Sequence, residues 1–134
     1  MRLVFFLLLV VFVSACRQRS EAYFHDRGRE LLQELTLKLQ RIDDIDSLMQ
    51  QSEELEELFQ SLVTVLIEAH KWQMKTKKPY RLTEEDQRCN QRLVGELNRL
   101  LRSPLMRHFL ERIQQPALER LDAFEKKFGI QTDL

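Results

Sequence analysis

Residues 45–79, IDSLMQQSEELEELFQSLVTVLIEAHKWQMKTKKP, decide the fold class. Apolar side chains fall at Ile45, Leu48, Met49, Leu55, Leu58, Phe59, Leu62, Val63, Leu66 and Ala69, with Gln73 closing the series. This near-3.5-residue repeat belongs to a long helix that packs at a shallow angle on its neighbours. Glu53, Glu54, Glu56 and Glu57 lie toward its start and Lys71, Lys75, Lys77 and Lys78 toward its end, the order that complements a helix dipole. Pro79 stops it.

Upstream, Phe24, Leu31, Leu32, Leu35, Leu39 and Ile42 form a second helical stripe, predicting a helix over about residues 20–42. Gly28 weakens its first turns, which are expected to fray or to act as a hinge. Asp43, Asp44, Asp46 and Ser47 supply the turn that follows. Downstream, Thr83-Glu84-Glu85-Asp86 has the form of a capping box and opens a third helix with the stripe Cys89, Leu93, Leu97 and Leu100 or Leu101. Ser103 and Pro104 are an N-cap and a first-turn proline. The fourth helix they open carries Leu105, Phe109, Ile113, Leu118, Leu121, Phe124 and Phe128 and ends at Lys126, Lys127 and Gly129. Pro116 is expected to kink or split it, opening a groove between the third and fourth helices for an apolar peptide helix. The expectation is an all-α, antiparallel four-helix bundle with a long second helix and a kinked fourth.

Composition agrees. Three glycines and three prolines in 134 residues are too few for a turn-rich β fold. Twenty-one Lys and Arg against 21 Asp and Glu give no bulk attraction to nucleic acid, and none is expected as a partner. Two cysteines, Cys16 and Cys89, cannot build a disulfide scaffold or a zinc site, so a hydrophobic core must hold the domain.

The chain opens differently. Arg2 precedes an unbroken apolar run, Leu3 to Val13 (LVFFLLLVVFV), followed by Ser14 and Ala15, the three-part plan of an export signal. As a helix that run would cover roughly 16 Å, about half of a hydrocarbon core, too short for a permanent span. Val13-Ser14-Ala15-Cys16 resembles the lipobox of bacterial lipoproteins. The resemblance implies cleavage before Cys16, a diacylglyceryl thioether on its sulfur and acyl chains of the palmitate kind, which together make membrane attachment effectively stable. It divides the chain into a signal peptide (1–15), a lipidated tether (16–20) and a helical bundle domain (21–134). In a Gram-negative host it further implies the outer membrane, facing the periplasm, because Arg17 rather than Asp follows the cysteine. The competing reading is ordinary secretory cleavage, giving a soluble four-helix signalling protein with a Cys16–Cys89 disulfide.

No catalytic constellation and no cofactor-binding motif is found: there is no nucleophile elbow and no phosphate-cradling glycine loop. His70 and Met74 share a helix face at the spacing of a soft-metal pair, with Met49 or Met106 as a third ligand, but a boundary histidine and a core-filling methionine explain them as well, and no metal is expected. The Asp43–Asp46 cluster lacks a calcium loop's glycine and distal glutamate and reads as capping. Glu53 to Glu57 read as a solvated face. Lys71, Trp72, Lys75, Lys77, Lys78, Tyr80 and Arg81 form the one basic and aromatic patch, suited to an anionic surface, although a dipole-matched helix end accounts for the same residues. A small helical bundle on a lipid anchor is similar to the pilotins, which escort secretin subunits, although the disulfide within the mature domain is missing here. The expectation is a non-catalytic envelope module, held to the membrane through Cys16 and binding another envelope protein, with dimerisation through the long helix open.

Overall fold

The computed structural model describes residues 20–129. The segment expected to be a signal peptide, and Cys16, lie outside them. The described chain forms four helices: α1 (Glu21–Gln40), α2 (Ile45–Thr76), α3 (Glu84–Leu101) and α4 (Pro104–Phe128). No described helix is long and apolar enough to cross a membrane.

Local chemistry sets most boundaries. Asp44 caps α2, accepting from the Ser47 amide at 2.8 Å while the Ser47 hydroxyl accepts from the Asp44 amide at 3.2 Å. The Ser47 amide and hydroxyl hold the Asp44 carboxyl below its ordinary range. Thr83 and Asp86 form the same reciprocal box at the start of α3. Ser103 caps α4 with Pro104 in its first turn, and Gly129 ends it in the left-handed region (φ 63°). Lys77 takes a left-handed conformation (φ 55°) at the end of α2, so the helix has stopped two residues before Pro79. Pro116 does not split α4, which runs through it to Phe128. Gly28 does not end α1 either; nothing lies within 4 Å of where its Cβ would be, so no close packing demands a glycine there.

Consecutive helices alternate in direction, but the packing order differs from the chain order. α1 packs on α2 and α3, and α4 packs on α2 and α3, while α2 and α3 make no close backbone approach. The α2–α4 seam is the most extensive and the α3–α4 seam the least. The link between α2 and α3 therefore crosses the bundle end diagonally. As a result α1 and α3 are parallel neighbours: Arg29 meets Glu85 at their starts (2.8 Å) and Arg99 meets the Leu39 carbonyl at their ends (2.8 Å). α2 and α4 are parallel too, with Arg120 on Gln60 (2.6 Å) and the Phe124 ring 6.2 Å from His70.

The core is one cluster drawn from all four helices. Leu31, Leu35, Leu39, Ile42, Leu48, Leu55 and Leu110 are essentially sealed from solvent, each such side chain contributing about 1.5–3 kcal/mol. The α1 and α3 stripes face the core as their periodicity predicts, with Leu32 and Leu97 half-buried at its edge. In α4 the buried line is Met106, Leu110, Ile113, Ala117 and Phe124, rotated from the expected one, and Leu105, Leu118 and Phe128 are exposed. Both lines have helical spacing; small Ala117 lies on the one that packs inward, where a count of large apolar residues favours Leu118. In α2, Met49 and Leu66 are exposed while Val65 is buried, because neighbours on two sides widen the covered arc beyond a single stripe.

Candidate functional site

The end of the bundle where α1 begins, α2 ends and α3 begins carries a buried polar cluster beside an apolar cleft. His25 and Asp86 are both almost fully buried, and His25 Nδ1 lies 2.5 Å from Asp86 Oδ2. The same carboxyl oxygen accepts from the Thr83 amide at 2.9 Å, and the other lies 3.7 Å from Arg29 Nε. Burial pushes the Asp86 carboxyl up, but the Thr83 amide and hydroxyl and the His25 ring outweigh it and hold the group below its ordinary range. Tyr80, in the link after α2, stacks on the His25 ring with centroids 4.6 Å apart and planes 14° from parallel. Its hydroxyl is 3.3 Å from His25 Nδ1, the nitrogen that also meets Asp86. Burial, then the charges of Asp86 and Glu21, push the Tyr80 phenol up to about 12, against the opposing Arg29.

The arrangement has the parts of an oriented imidazole, but its other nitrogen, Nε2, faces the Glu21 carboxylate at 3.6 Å. The ring thus has a carboxylate near each nitrogen. The cluster's evident work is to tie together α1, the α2–α3 link and α3. Arg29 extends the tie, reaching Asp26 at 2.6 Å and Glu85 at 2.8 Å.

Next to it lies a cleft of about 300 Å³. Phe24, Gly28 and Leu32 of α1, Leu62, Val65, Leu66 and Ala69 of α2, and Leu82 of the link give it mostly apolar walls, with His25, Arg29, Tyr80, Asp86 and Asn90 at the polar side. Leu66 and Leu82 stay exposed at 38 % and 57 %. α4 contributes no lining residue, so this is not the expected groove between the third and fourth helices.

The structure divides the basic and aromatic patch by residue type. Lys71, Lys75, Lys77, Lys78 and Arg81 are exposed, whereas Trp72 and Tyr80 turn inward, Trp72 edge-on to Phe24 at 6.3 Å. His70 and Met74 line a shallow hollow with Gln73, Lys77, Lys78 and Pro79. Met49 lies in the second turn of the same helix, about 30 Å away along its axis, and Met106 is buried at the start of α4. No third ligand therefore joins His70 and Met74, and among the described residues no group of three His, Cys, Asp or Glu side chains is placed to hold a metal ion. Cys89 is buried, with Gln33 Nε2 donating to its sulfur at 3.8 Å. The Glu53–Glu57 carboxylates are exposed.

From the sequence alone Asp86 reads as a cap, and nothing around His25 marks it. A signal was present: Asp86 precedes Cys89 and Leu93 by three and seven residues, on the buried line of α3. An acidic side chain on that line needs a buried partner. The chain matches no known protein family, no curated protein and no solved structure.

Proposed function

We propose that this protein is a lipid-anchored component of the cell envelope, non-catalytic, whose helical bundle binds and helps assemble another envelope protein in the manner of a pilotin. The observation that carries the binding role is the apolar cleft, open at Leu66 and lying one to three turns from the start of α1, close to where the tether enters the bundle. A cleft of this kind suits apolar side chains of an inserted segment. The anchor rests on the apolar run Leu3–Val13 followed by Val13-Ser14-Ala15-Cys16.

Burial of Cys89, whose sulfur accepts from Gln33 Nε2 at 3.8 Å, weighs against a Cys16–Cys89 disulfide and so supports the anchor.

Two measurements test the proposal. The intact mass of protein from the host's membrane fraction should correspond to residues 16–134 plus lipid, and a Cys16→Ala variant should lose both the lipid and stable attachment. An unmodified mass less two hydrogens, in the soluble fraction, would replace the anchor with the disulfide. A photo-crosslinker at Leu66 should capture one envelope protein that the same probe at Leu105 does not; identical adducts at both positions would remove the cleft from binding.

A further inference from the structure

We infer that the tether end of the bundle is a docking face for an anionic lipid bilayer. Residues 71–81 contain five cations, Lys71, Lys75, Lys77, Lys78 and Arg81, with no Asp or Glu among them. All five are exposed, and none is ion-paired with another described residue. The carboxylates at the start of α3 are already engaged: Glu84 with Arg88, Glu85 with Arg29, and Asp86 with His25. The cations are thus left to an outside partner.

Apolar side chains stand exposed at the same end: Met74 at 42 %, Leu82 at 57 % and Phe128 at 43 %. Phe128 belongs here because α4 runs parallel to α2 and Phe124 lies against His70. Cations interleaved with exposed apolar groups match the interfacial zone of a bilayer, where basic side chains meet phosphates and apolar ones enter the acyl boundary. A purely polar anion, such as a phosphate-bearing polymer, has no use for Met74, Leu82 and Phe128. Trp72, the usual interfacial residue, takes no part because it packs on Phe24. Position gives the remaining argument: Cys16 is four residues from Ser20, so an anchor there holds this end against the headgroups. Only that last point rests on the anchor reading.

The test uses mature protein recovered from membranes, with an environment-sensitive label on Leu82→Cys or, at the opposite end, on Leu105→Cys; buried Cys89 is left unlabelled. After reconstitution into vesicles containing an anionic phospholipid and a lipid-borne quencher, the Leu82 label should be quenched and the Leu105 label should not. In neutral vesicles, or with Lys71, Lys75, Lys77 and Lys78 all changed to Glu, the Leu82 signal should fall to the Leu105 level, with the helical circular dichroism of the variant confirming its fold. Equal quenching of both labels, or Leu82 quenching indifferent to lipid charge, would overturn the docking face. Intact mass of the same preparation reports the lipid on Cys16, so failure of the anchor is distinguished from failure of the face.

Discussion

The two ends of the bundle are built from different materials. At the closed end, around the turn from α1 to α2, Leu39, Ile42 and Leu48 are fully buried. The Arg99 guanidinium closes that end by donating to the Leu39 and Ile42 carbonyls at 2.8 and 3.1 Å, satisfying acceptors that the end of α1 leaves open. At the other end, where α1 begins, a buried His25–Asp86 pair joins the apolar packing, and beside it the walls stand apart as a cleft. Apolar side chains fill whatever space is offered, whereas a hydrogen-bonded pair fixes positions while leaving space beside it. One end is closed by filled space, the other by a polar tie that leaves a cleft beside it.

Three perturbations test that contrast. The largest effect is expected from Asp86→Ala, which strands His25 and the Thr83 amide without their partner and should cost about 3–5 kcal/mol in chemical denaturation. Because the folded-state Asp86 carboxyl is held below its ordinary range, its contribution is present above about pH 4 and is lost as pH falls through the folded value. The variant's acid limb should accordingly be flatter than that of the parent; an unchanged limb would show that the pair carries no pH-linked stability.

At the closed end, Leu48→Ala should cost about 2–4 kcal/mol through the cavity it leaves, and the loss should not depend on pH between about 4 and 9. A loss below about 1 kcal/mol would mean that this end collapses around the gap and is not rigidly packed. The smallest effect belongs to Tyr80→Phe. With the phenol raised to about 12, its neutral form favours the folded state. That contribution is whole below about pH 10 and disappears as pH rises to about 12. Tyr80→Phe should remove this alkaline decline while changing neutral-pH stability by less than about 1 kcal/mol, since the ring stack on His25 is kept.

Much of this architecture was legible because local rules are written in short spans. Asp44 with Ser47, Thr83 with Asp86, Ser103 with Pro104, and Gly129 each set a helix end through groups no more than three residues apart, and the stripes of α1 and α3 are simple enough to give the buried face directly. In α4 two lines of helical spacing overlap. Only contact with α2 and α3 chose the one through Met106, Leu110 and Ala117.

The candidate site was less legible because its parts come from far apart in the chain. His25 and Asp86 are separated by 61 residues, and nothing local to either marks the other as its partner. The basic patch was visible as a run of lysines, but which of its members face outward was not: Trp72 and Tyr80 were drawn in by Phe24 and His25.

By itself, then, the sequence determined four helices, their caps and the charge order along α2, since hydrogen bonds and propensities act over a few residues. It also carries the lipobox-like segment ending at Cys16. The tertiary structure alone decided that α2 and α3 sit on a diagonal, that α1 therefore runs parallel to α3, and that His25 thereby meets Asp86 beside an apolar cleft. Which helices become neighbours is settled by the packing of the whole core, a sum over all four faces that no single stretch of the chain contains.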